Sequence, residues 1–159
     1  MIELLVTLVI LGIVGAIALS RLAQMQADAR YASINAVIAE VQGASNTIHA
    51  QAIIAGQTGP TGQITLFDGT VVDLAYGYPS GTNTGILRAI NTSITTSWYT
   101  RGDGTRVAEF MVVNKPYATN RCYGTYWEAT ATRATPLYNN VTNTDPLGSN
   151  GPAGAAQCQ

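Results

Sequence analysis

Glu3 is the first residue in this chain whose chemistry calls for a partner. The run from Leu4 to Leu19 that follows it carries no charge, and Thr7 is its only hydroxyl. A carboxylate placed near the end of a membrane-type helix costs on the order of 2.5–3.5 kcal/mol on insertion scales, so such an acid ordinarily has a cationic partner. No Lys or Arg lies within helical reach of Glu3. Its cation is therefore expected from another chain or from a terminal amine. The plainer alternative leaves Glu3 in water at the interface.

Other reactive groups are few. Cys122 and Cys158 have no His cluster nearby, which makes a poor metal site. In an exported chain they would form one disulfide closing the C-terminal segment; in a cytosolic chain they would be two unpaired thiols. His49 stands alone and is expected at a polar face or core edge. Asp68 and Asp73 are five apart across an expected hairpin and are expected to solvate a sheet edge rather than to bind calcium or transfer protons. Arg101-Gly102-Asp103 spells an adhesion tripeptide, but Gly104 follows it and the context is that of a hairpin turn. Asn91 and Asn140 head N-glycosylation acceptor patterns, a weak signal in isolation. With one His and no phosphate-cradling loop, no enzyme activity, cofactor or metal is expected.

The bulk composition agrees with a greasy end and a neutral remainder. Charged residues are 11% of 159, hydrophobic residues 47%, and the net charge is −1. Typical domains carry about 25% charge. Such a chain is membrane-linked or presents a surface of Ser, Thr, Asn, Gln and Gly. The eight Lys and Arg are dispersed, so nothing indicates nucleic acid as a partner.

Leu4–Leu19 as a helix is about 24 Å long, close to a bilayer's hydrocarbon thickness once Met1 and Ile2 are added. It is apolar all round and must be buried on every side. A cleavable signal peptide would begin with positive charge, whereas this segment begins with an acid and runs on without a cleavage-site break. A plain signal anchor would explain the length but not Glu3. Past Arg21 the pattern becomes one-sided: Leu22, Met25, Ala29, Ile34, Val37, Ile38, Val41, Ile48 and Ala52 recur at spacings of three and four. Met25 and Tyr31 are expected to pack. Gly56 and Gly59-Pro60 are stop signals, so the helix should end near Ala55, a rod of roughly 80 Å.

Beyond Gly56 the period changes. Gln63–Phe67 and Thr70–Leu74 flank Asp68-Gly69 and predict a hairpin with a type I′ turn. Ala75–Gly81 reads as a loop, and residues 82–94 hold a short helix. Ser97–Arg101, Val107–Val113 and Arg121–Ala129 are strand candidates. From Pro136 onward little can be buried. The fold class expected is α+β: a long N-terminal helix packed on an antiparallel sheet of four or five strands. Residues 1–20 form the hydrophobic segment, 21–55 the amphipathic half of the same helix, and 56–159 the β-rich head.

Ile2-Glu3-Leu4, continuing Leu5-Val6-Thr7-Leu8-Val9-Ile10-Leu11-Gly12-Ile13, resembles the start of a mature type IV pilin, over roughly residues 1–25. The family pattern places two more residues before Met1. The resemblance implies a ladle-shaped subunit, cut and methylated by a prepilin peptidase, held in the inner membrane before assembly. Identical subunits would then polymerise through their N-terminal helices, driven by pilus assembly machinery, into a cell-surface filament for adhesion or motility. It implies that Glu3 neutralises a neighbouring subunit's terminal amine during docking. Gly12 matches a position where the family's helix loosens. Gly15 adds a second weak point, at about 1 kcal/mol per Gly relative to Ala. A Cys122–Cys158 disulfide would bound the exposed C-terminal region. Ser20 stands where the family commonly has proline, so any melted stretch rests on Gly12 and Gly15 alone. Tyr76-Gly77-Tyr78-Pro79 and the Cys122–Thr130 pattern are most similar to mannose-sensitive haemagglutinin pilins. The rival readings are a pseudopilin of a type II secretion system and a membrane-anchored binding module that never polymerises.

Overall fold

The computed structural model describes residues 2–90, 95–100, 104–111 and 123–139. A single helix, α1, runs from Ile2 to Ile54. No proline interrupts it, and three of its hydroxyls fold back onto their own backbone: Thr7 donates to the Leu4 carbonyl, Ser33 to Ala29 and Thr47 to Gly43, each at 2.9 Å. The helix ends as the stop signals require. Gly56 adopts φ 68°, its N–H donates to the Ile53 carbonyl, and the Gln57 N–H donates to Ala52. These two reversed bonds are the Schellman arrangement that satisfies the last carbonyls.

The covered face of α1 begins later than the periodicity suggests. Ala27, Ile34, Val37, Ile38, Val41, Ser45, Ile48 and Ala52 are buried, and Tyr31 packs partly buried against them. Leu22 and Met25 are 53% and 66% exposed, and Ala29 is exposed too. The expectation that these three pack on the head is corrected: their spacing is helical, but the head covers a different stripe and starts at Ala27.

Two sheets, rather than one, lie on this stripe in succession. The first has β1 (Gly62–Thr65), β2 (Val71–Ala75) and β3 (Tyr78–Pro79) in the order β1-β2-β3, all antiparallel. A short helix, α2 (Ile86–Ala89), follows. The second sheet is a meander of β4 (Thr95–Thr100), β5 (Arg106–Met111), β6 (Tyr123–Trp127) and β7 (Leu137–Asn139). Ile34, Ile38 and Val41 meet Ile86, Ala108, Phe110 and Tyr126 in one core cluster, while Ile48 and Ala52 meet Ile64, Val72 and Leu74 in another. The fold is α+β, a long helix with antiparallel strands.

The turns exchange types. Asp68 has no positive φ, so the expected type I′ turn at Asp68-Gly69 does not form. Instead Gly69 N–H donates to Leu66 and Leu66 N–H to Thr70, closing a three-residue loop with Gly69 alone at φ 84°. Phe67 therefore lies in the turn, fully exposed, not in a strand. The type I′ signature falls at Tyr76-Gly77, with φ 53° and 79°, where Ala75 pairs with Tyr78. The segment read as a loop is thus a second hairpin. Likewise β7 lies in the stretch expected to bury little; Tyr138 on it pairs with Tyr126 and packs against the core.

Candidate functional site

Two features distinguish this molecule from an ordinary small domain. One is the uncovered first half of α1. The other is the set of polar contacts that clamps its second half.

From Ile2 to Leu19 no described residue of the head reaches the helix. Leu4, Leu8, Leu11 and Leu19 are between 62 and 71% exposed, and the flanking Val and Ile are exposed with them. The segment is long and apolar enough to cross a membrane, and none of the described residues buries it. Monomeric soluble proteins rarely leave a contiguous apolar patch of more than a few hundred Å² uncovered. Glu3 sits exposed in the first turn, where the helix dipole favours an anion. Among the described residues no cation pairs with it; the ion pair there is Arg106–Glu128. Gly12 and Gly15 lie in regular helix, and a Cβ at either would meet nothing within 4 Å. The helix also passes through Ser20 without a break.

The clamp is built from residues on both sheets. Gly124 of β6 approaches α1 so closely that a Cβ there would lie 2.6 Å from Ile38 Cδ1. Tyr126, two residues on, is fully buried and its phenol donates to the Pro79 carbonyl at 2.6 Å. Burial pushes that phenol well above its ordinary pKa of 10.0. Tyr138 packs tilted against it, ring centroids 5.5 Å apart, and its phenol is raised by burial as well. His49 is half-buried at the core edge, as expected: its ring stacks on Tyr78 at 3.7 Å. The 2.9 Å contact from His49 Nδ1 to the Gly77 carbonyl requires a proton on Nδ1. Glu128, 4% exposed, accepts from Arg106 N and Nε and from the Gly81 N–H, binding β5 to the loop after β3.

Asp68 accepts from the Thr70 N–H at 2.9 Å, which lowers its pKa and ties down the turn. Asp73 accepts from Gln63 Nε2 at 2.7 Å, and the Thr84 hydroxyl is the main cause of its lowered pKa. Asp68 lies exposed in the turn, whereas Asp73 lies half-buried on β2, the central strand of its sheet, so the expectation of a solvated sheet edge is corrected for Asp73. Cys122, Cys158, Arg101-Gly102-Asp103, Asn91 and Asn140 lie outside the described residues, although the flanking β4 and β5 pair as a hairpin through Thr100 and Arg106. Among the described residues no group of three His, Cys, Asp or Glu gathers as a metal site. Gly124, Tyr126 and Glu128 were not singled out individually by the sequence; the aromatic, Gly-containing strand pattern around them was the available signal.

Comparison with protein-family models, curated proteins and solved structures finds no match to this chain.

Proposed function

We propose that this chain is a type IV pilin, a structural subunit with the ladle fold that polymerises through its N-terminal helix into a cell-surface filament. The observation that carries the reading is the uncharged, uncovered half of α1. It opens with Glu3 and joins without a break to a half whose other end is covered by a two-sheet head. A helix of that kind fits two successive environments, the bilayer of the inner membrane and a bundle of identical helices at a filament axis. Burying such a run is worth tens of kcal/mol gross at about 25 cal/mol per Å², less the cost of ordering. Non-closing contacts between identical subunits then give an open filament. Glu3 guides docking by meeting a cation supplied by a neighbouring subunit. The likeness to mannose-sensitive haemagglutinin pilins favours an adhesive role. Prepilin peptidase and an assembly ATPase are the partners the family implies.

The test is to shear the cell surface and examine the supernatant by electron microscopy and intact-mass spectrometry. Thin uniform fibres containing this chain with a methylated N-terminus are expected, and Glu3→Ala should abolish them while leaving the chain in the membrane. A chain that stays in the membrane fraction, forms no fibre and is indifferent to Glu3→Ala would sink the reading in favour of an anchored module.

A further inference from the structure

Glu3 and Arg21 bracket the apolar run of α1, with no charge between them. They stand 18 positions apart, about 27 Å of helix, and a bilayer's hydrocarbon is about 30 Å thick. A helix inserted with Glu3 at one boundary therefore carries Arg21 at the other. The head first covers α1 at Ala27, about 9 Å further along. That interval, residues 21–26, matches the polar layer of a bilayer leaflet, about 5–8 Å deep. Arg21, Leu22, Gln24, Met25 and Gln26 are all exposed within it.

The placement of Arg21 calls for an anion at the level of the boundary. Helical Cα–Cβ bonds tilt toward the N-terminus, so the stem of Arg21 leans back over the last turn of the apolar run rather than out toward the head. A cation held there without a partner is costly. Among the described residues Arg21 makes no ion pair. The nearest acid along α1, Asp28, is two turns or about 10 Å further on, beyond the polar layer. Lipid phosphates are the anions that a bilayer supplies at that depth, and the planar guanidinium fork matches phosphate oxygens where an ammonium would not. Arg30, half-buried and about 14 Å beyond Arg21, stands clear of the layer.

We propose that in the membrane-inserted subunit Arg21 binds the phosphate of an anionic phospholipid, in the leaflet on the side of the head. The inference rests on the membrane-inserted stage of the pilin reading and is independent of how subunits pack in a filament. It also accounts for Leu22 and Met25, which are 53% and 66% exposed in a helix whose neighbouring stripe is buried. At the depth of Arg21 their apolar side chains meet the upper ends of the acyl chains instead of water.

The test places the full chain in vesicles of mixed phosphatidylcholine and phosphatidylglycerol and reads the lipid it retains by native mass spectrometry. The wild-type chain should retain phosphatidylglycerol roughly fivefold over phosphatidylcholine, the preference that one cation near an anionic surface confers. Arg21→Ala should lose that preference, Arg21→Lys should keep a reduced one, and Arg30→Ala should leave it unchanged. Added inorganic phosphate should not displace the lipid; displacement would assign the site to free phosphate and overturn the lipid assignment. An inserted wild-type chain without the preference, or an Arg21→Ala chain that keeps it, would overturn the inference. So would equal losses from Arg21→Ala and Arg30→Ala, which would mark a diffuse effect of charge rather than a site. A wild-type chain that does not enter the vesicles would instead remove the membrane reading beneath it.

Discussion

The phenol of Tyr126 donates to the carbonyl of Pro79 at 2.6 Å, joining β6 of one sheet to β3 of the other. Among the described residues no ladder bonds run between the two sheets, so this side chain, with Glu128 reaching Gly81, couples them beneath the helix. The coupling explains how two small sheets, neither with a large core of its own, present one continuous bed to α1.

Tyr126→Phe keeps the ring in the core but leaves the buried Pro79 carbonyl without that donor. An unsatisfied buried acceptor costs about 1–3 kcal/mol. Urea unfolding of the detergent-solubilised chain should show an unfolding free energy lower by that amount, read as a lower midpoint at unchanged slope. An unchanged midpoint would mean the bond does not couple the sheets.

Gly124→Ala places a methyl 2.6 Å from Ile38 Cδ1 and 2.7 Å from Cγ1. Ile38 must leave its rotamer or the sheet must retreat from α1, at about 1–3 kcal/mol. Ile38→Ala in the same chain removes both atoms. The double variant is expected to be more stable than the sum of the two single losses predicts, a coupling read from a four-member mutant cycle.

Glu128→Ala strips acceptors from the Arg106 and Gly81 backbone amides and leaves the guanidinium unpaired. Removing one partner of a buried pair costs about 3–5 kcal/mol; Arg106, with its side chain 34% exposed, belongs at the lower end. Glu128→Gln keeps an acceptor and should lose less. Equal losses in the two variants would show that charge rather than acceptor geometry holds the loop.

Stability should be flat across neutral pH and fall at both extremes. Asp73, helped chiefly by the Thr84 hydroxyl and further by Gln63, and Asp68, helped by the Thr70 N–H, are held below their ordinary 3.8. Their contribution is present above that value and is lost as pH falls through the folded-state values. Tyr126 is displaced the other way by burial, so its contribution is complete below its ordinary 10.0 and is lost as pH rises past it. Urea midpoints measured against pH should lose part of the acid limb in Asp73→Asn and part of the alkaline limb in Tyr126→Phe.

Much of this molecule is written in local patterns. The long helix follows from an uncharged run joined to a one-sided one with no proline, and its end follows from Gly56, because a Schellman stop needs only a left-handed residue at that place. The hairpin from β1 to β2 follows from two alternating segments around Asp68-Gly69. Glu3 was legible for the same reason: a carboxylate at the edge of an apolar run is anomalous wherever the chain folds.

Tertiary structure decided what depends on partners distant in sequence. Helical spacing marks Leu22, Met25 and Ala29 as readily as Ile34 and Ile38, and only the position of the head exposes the first three while burying the others. Tyr76 takes the left-handed turn that Asp68 was expected to take, in a hairpin that also carries Gly77 against His49 and Tyr78 onto its ring. Strand β7 exists because β6 offers it an edge and Tyr126 offers Tyr138 a face, neither of which is visible in residues 137–139 themselves. The physical reason is common to all three. A periodic pattern states that a face will be buried, but the identity of the surface that buries it is a property of the assembled chain.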